Sequence, residues 1–225
     1  EGYNADFFRH NSSFTFFGMQ NLLKRLKAEG KCPIARDTII FIRQSIPGEV
    51  AVNTIRLLNF DGSNVHDLSQ GEMEAHLQIP VLIDFFRTYV PGFENCYLTS
   101  INASIGVRES RRIVGEKMLD YHDCLDGKKP EDTIALCSYF LDIHNGAGDD
   151  TTGISIEEPF GIPYGCLVSK DIKNLMMAGR DISVDPVTFG ATRIMNVCMA
   201  VGQAAGEAAA MWVAGNKNPK NVYGQ

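Results

Sequence analysis

The stretch "NLMMAGRDISVDPVTFGATRIMNVCMAVGQAAGEAAAMW", residues 174–212, decides how the chain is read. A short apolar run ends in Gly179 and Arg180, a turn-rich segment follows with Asp181, Asp185 and Pro186, and then comes a long run of Ala, Gly and Met. That last run has helix-forming composition and is apolar nearly all round, unlike a surface helix with one buried stripe. Something must cover it or cross close to its start. The Gly202-x-x-x-Gly206 spacing is a close-packing signal found in membrane helices and in soluble cores. Asn196, Gln203 and Glu207, with Ala and Gly in place of Leu and Ile, favour a buried helix over a membrane span.

The rest of the composition agrees with a globular protein. The 225 residues are 44% hydrophobic, enough for one large domain or two small ones. The net charge is −6 and the 21 basic residues are dispersed, which argues against nucleic acid or an anionic membrane as partner. Cysteines stand at 32, 96, 124, 137, 166 and 198 with no C-x-x-C pair, so zinc and iron–sulfur chemistry lack local support. Their scatter suits free thiols in a reducing compartment, and the expected location is cytoplasmic. The opening "EGYNADFF" has neither an initiator Met nor a signal-peptide pattern, which suits a processed chain or a piece of a longer one.

Along the chain, "SSFTFFGMQNLLKRLKAEGK" reads as a helix capped near Ser12 or Ser13 and ended by Gly30. "DTIIFIRQSI" and "EVAVNTIRLLNF" read as two strands of a hairpin turning at Pro47-Gly48. Ser69 and Glu72 have the spacing of a capping box for a helix that Pro80 should break or kink. Turn and strand are expected over residues 91–110, then a short strand, a helix near 130–137 and a strand ending at His144. "NGAGDDTTGISIEEPFG" reads as a long polar binding or lid loop, "IPYGCLVS" as a strand and "LMMAGR" as a buried strand.

Five ordered blocks carry a resemblance: "DLSQGEMEAHLQIPVLIDFFRTYVPGFENCYL", "IGVRESRRIVGE", "FLDIH", "IPYGCLVSKDIKNLMMAGRDIS" and "TRIMNVCMAVGQAAGEAAA". Together, over residues 50–222, they resemble the C-terminal half of the FAD-dependent oxidoreductase family related to the flavin-bearing subunit of heterodisulfide reductase. Members of that family open with a strand, a G-x-G-x-x-G turn and a helix that receives the FAD pyrophosphate. "GAGDDT" has only the first two glycines, so that fingerprint is missing here. The resemblance therefore implies an α+β chain, a fragment of an α/β flavoprotein. Residues 1–165 would form a mostly antiparallel substrate-side domain with packed helices. Residues 166–225 would supply the last strand, loop and helix of a Rossmann-like FAD domain.

The resemblance also implies roles. The strand ending in "AGR" would lie beside the middle of FAD, with Gly179, Arg180 and Asp181 lining it, and Arg193, Ile194 and Met195 would face the ring edge. The start of the last helix would stabilise negative charge on the reduced flavin. Arg108, in "GVRESRR", either holds a substrate carboxylate or cofactor phosphate or is simply paired with Glu109 or Glu116. On a strand it would share a face with Arg112, while Arg111 points away. His144 is a candidate base at a strand end beside a flexible loop, and Tyr164 is either a substrate-facing hydroxyl or a core aromatic. The histidines at 10, 66, 76 and 122 have no metal-ligand spacing, and no metal is expected.

The expected function is the C-terminal part of an FAD-dependent oxidoreductase acting on a small organic molecule at flavin N5. The chain would depend on a separate N-terminal Rossmann segment, bind FAD weakly alone, and self-associate through the uncovered last helix. Two alternatives are a folded fragment without cofactor or activity, and a flavoprotein relaying electrons between iron–sulfur centres.

Overall fold

A computed structural model describes residues 15–144 and 151–215. The described residues form two compact units, 15–107 and 108–144 with 151–215. The architecture is α+β, with small antiparallel sheets and helices.

In the first unit, strand β1 (Thr15–Gly18) precedes helix α1 (Gln20–Ala28). The helix expected from Ser12 or Ser13 therefore starts later. Thr15, Phe16 and Phe17 suit a pleated surface better than a helix, and Phe16 pairs with Phe41 across the sheet. Leu23 and Leu26 bury the inner face of α1. Gly30, at φ 68°, ends it as expected: its N–H donates to Lys27 O and the Lys31 N–H to Leu26 O. The hairpin also forms, from β2 (Ile39–Arg43) and β3 (Val50–Asn53), with β2 central in the order β1-β2-β3. Gly48 supplies the turn's positive φ of 87°.

Helix α2 (Val65–Tyr89) begins one turn before the expected cap. Asn64, in extended conformation, accepts the His66 N–H on its side chain. Ser69 instead bonds back to Val65 O, and Glu72 accepts the Ile105 N–H at 2.8 Å. The helix continues through Pro80 as one element. Its Phe85 and Phe86 meet Phe41, Phe93, Leu23 and Ile39 in the core of this unit. The strand expected before residue 110 is absent, and residues 97–110 are irregular.

The second unit opens with α3 (Tyr121–Leu125), capped by Asp120 through the His122 and Asp123 N–H groups. The helix expected near 130–137 is instead strand β4 (Thr133–Cys137), because "TIALC" pairs with β7 (Phe160–Pro163) in the centre of the core. Strand β5 (Leu141–His144) ends where expected and pairs with β6 (Thr151–Ile154), so the middle of the supposed polar loop is a strand. Residues 145–150 of that loop lie outside the described residues. "IPYGCLVS" is extended only to Pro163 and then makes a 3-10 turn at Tyr164–Cys166. "LMMAGR" makes one isolated bridge, Val168 to Met176, rather than a strand. All strand ladders among the described residues are antiparallel, and the one parallel pairing is the Leu119–Val184 bridge.

Helix α4 (Phe189–Thr192) and the long α5 (Met195–Gly215) complete the unit. Val197 and Val201 enter a core with Leu119, Phe160, Ile162, Leu167, Ile182 and Phe189. Ala208 packs with Tyr164, Val168 and Trp212. The opposite side of α5 is open: Met195, Met199 and Val213 are exposed, and a methyl group at Gly202 or Gly206 would meet nothing. By length and composition α5 could cross a membrane, and only 17% of its apolar window is buried, so the buried helix expected from sequence is not found among the described residues.

Candidate active site

Two of the arginines singled out by sequence, Arg108 and Arg193, converge on a carboxylate that was not. Arg108 donates from Nη2 to Asp142 O at 2.9 Å and to Asp142 Oδ2 at 3.4 Å. Arg193, at the C-terminal end of α4, donates from its own Nη2 to the same Oδ2. Arg180 Nη1 donates to the Arg108 carbonyl at 3.0 Å. Two guanidiniums from distant parts of the sequence thus meet at strand β5, and a third reaches the backbone of Arg108.

Local structure explains the convergence. Asp185 accepts the Val187 and Thr188 N–H groups on Oδ1 and the Thr188 hydroxyl on Oδ2. This Asx-type turn, with Pro186 fixing φ in it, starts the α4 turn. Gly190 then lets α4 press against β5: a Cβ there would stand 2.7 Å from Asp142 O and 2.9 Å from Asp142 N. That close approach carries Arg193 to the Asp142 side chain. On the other side, the Ile113 N–H donates to Asp181 O at 2.8 Å and so fixes the segment carrying Arg108 beside Arg180. Gly179, at φ 105°, makes the turn into Arg180 that a side chain would strain.

The electrostatics are uneven. Asp142 is buried, at 9% exposure, and faces two cations. Burial pushes the Arg108 pKa below its usual value, the Arg193 charge pushes it further, and Asp142 opposes both. Arg193 Nε is buried with no acceptor. Arg112 lies 5.4 Å over the Phe189 ring and pairs with Glu109, while Arg111 is exposed.

The remaining candidates are distributed around this cluster. Ile194 packs against the core and Met195 is exposed at the first position of α5. Tyr164 is buried under α5, its hydroxyl donating to Met176 Sδ at 3.7 Å and its pKa raised by burial. It shares no polar contact with Arg108 or Arg193. The His144 backbone pairs with Thr151 at the end of β5, and its side chain lies outside the described structure. A shallow depression of about 510 Å³ opens beside Arg112, Gly115, Lys170 and Ser183, without Arg108, Asp142 or Arg193 in its wall.

Sequence reasoning missed Asp142, Asp185 and Gly190. Asp142 did carry a signal, since an Asp inside the apolar strand "LDIH" is unusual in a buried position unless paired. Asp185-Pro186 was legible as a turn but not as the device that aims Arg193. Gly190 carried no local signal, because its reason is the backbone of a strand 48 residues earlier in the sequence.

A family model described as FAD dependent oxidoreductase matches residues 4–225. No curated protein and no solved structure matches the chain.

Proposed function

The chain belongs to the FAD-dependent oxidoreductase family, and we propose that it forms the substrate-facing walls and the flavin-facing helix of a redox site for a small organic molecule. The observation that carries this reading is the pairing of Arg108 and Arg193 with Asp142, with Arg180 on the Arg108 carbonyl, close to where helix α5 begins. It places fixed positive charge beside the start of a long helix, the arrangement that favours an electron-rich ligand.

The residues fit one end of FAD. A Cβ at Gly179 would meet only Asp181 Oδ1, at 3.9 Å, and Arg193 keeps a guanidinium that the protein does not fully match. Gly179, Arg180, Asp181, Arg193, Ile194 and Met195 would hold that end. When bound, the flavin supplies the two-electron acceptor or donor of the reaction. The chain's own part is to hold Arg108 toward the substrate, to exclude water with the apolar start of α5, and to offer His144 for proton movement. Tyr164, whose hydroxyl is engaged by Met176, serves packing in this reading.

The described residues contain no G-x-G-x-x-G turn on a parallel sheet, so the pyrophosphate and adenosine ends of FAD fall to a Rossmann segment outside them. The same proposal includes a substrate-side part over residues 1–165, a part of the FAD domain over residues 166–225, and kinship with the flavin-bearing subunit of heterodisulfide reductase. It also includes a cytoplasmic location, which suits the six free cysteines. Titration of the purified chain with FAD, followed by flavin fluorescence, tests it. The expected result is weak binding, because contacts to part of a ligand must offset most of the association entropy. A tight one-to-one complex would refute the division of the cofactor while leaving the family in place.

A further inference from the structure

We infer that Arg108 and Arg193, oriented by Asp142, form an oxyanion subsite that takes a carboxylate group of the organic substrate. Assigning the occupant to the substrate rests on the flavoenzyme reading above; the binding of an anion does not.

Charge balance is the first argument. Among the described residues, two guanidiniums share one buried carboxylate, which leaves the pair with one positive charge more than the carboxylate offsets. The other carboxylate that acts on Arg108, Glu109, is engaged by Arg112. The depressed Arg108 pKa has the sign expected of a cation that is desolvated beside another cation. Bringing in one negative charge would relieve both effects.

Donor geometry is the second argument. A guanidinium offers five N–H donors in a planar fork. Arg108 spends a single nitrogen, Nη2, on both atoms of Asp142, and its side chain is 33% exposed. Part of its fork can therefore be reached from solvent. Asp142 fixes how both guanidiniums stand and so acts as a positioning residue rather than a ligand-binding one. The pair already embraces one planar carboxylate, and a second monoanion brings the count to two cations and two anions. A phosphate dianion would exceed that balance.

The test uses the purified chain without flavin, labelled with 15N-arginine. Its guanidinium N–H resonances are followed while acetate or inorganic phosphate is added at constant ionic strength, with chloride as the control. Acetate should shift the Arg108 and Arg193 signals to saturation and bind more tightly than phosphate. Arg108→Gln should weaken acetate binding by about tenfold or more, the scale of one charged hydrogen bond. Arg111→Gln, at an exposed neighbour, should leave it unchanged. Shifts without saturation, or acetate binding that survives Arg108→Gln, would overturn the subsite. Tighter binding of phosphate would overturn its assignment to a carboxylate. Should Arg108→Gln fail to fold, the titration of the parent chain still decides between saturation and its absence. Because no FAD is present, failure here is distinct from failure of the flavin titration.

Discussion

Gly190 shows how one missing methyl group can decide where a charge sits. Its Cα packs on the backbone of Asp142, where neither carbonyl nor amide can move without disturbing β5. Gly190→Ala should therefore destabilise the second unit by about 1–3 kcal/mol, the usual range for overpacking, and displace Arg193 from Asp142. A urea midpoint equal to the parent's would contradict this. Cys124 and Cys166 give a second prediction at the same scale. Burial pushes both thiols from about 9.0 up to about 12. A folded pKa above the unfolded one stabilises the fold below the unfolded value, and that contribution is lost as pH rises from about 9 toward 12. The denaturation midpoint should fall across this window, and both thiols should resist alkylation in the native protein at pH 8. Rapid labelling of either under native conditions would show that it is not buried as described.

Two positions in α2 test the energetics of an element. Asn64 satisfies an N–H of the first turn, so Asn64→Ala should cost about 1 kcal/mol. Pro80 lies exposed within the helix, where it removes a backbone donor and crowds the preceding turn. Pro80→Ala should raise stability by about 1 kcal/mol or more, since Ala is the better helix residue by roughly 3 kcal/mol in an unconstrained helix interior. Chemical denaturation of the two variants beside the parent separates these effects, and a Pro80→Ala loss would mean that the helix is shaped to need the proline. Helix α5 belongs to the same scale. Its inner residues Val197, Val201 and Ala208 tie it to the second unit, while its Met-rich outer side remains open.

At the scale of the molecule, each unit has its own hydrophobic core. Trp212 is the one tryptophan of the chain and packs in the second unit near Tyr164 and Ala208. Its fluorescence therefore reports that unit, whereas far-ultraviolet circular dichroism reports helices in both. In urea the two signals should give transitions that do not superimpose. Superimposable curves would show that the units unfold as one cooperative body.

The sequence by itself determined what local chemistry can specify. The hairpin at Pro47-Gly48, the end of α1 at Gly30, the strand end at His144 and the long Ala/Gly/Met helix all follow from turn residues and composition within a few positions. Sequence also singles out Arg180 and Arg193, through the resemblance of ordered blocks, and Arg108, through the arginine cluster in "GVRESRR". Tertiary structure decided the rest. "TIALC" is a strand because β7 offers it a partner, and "TTGI" is one because β5 does. Asn64, not Ser69, caps α2, and the extended backbone at Asn64 settles the choice. Above all, the meeting of two arginines at Asp142 depends on a contact between α4 and β5 through Gly190, whose partners lie far away in sequence. Burial and pairing of charge are properties of a packed neighbourhood, which local sequence does not contain.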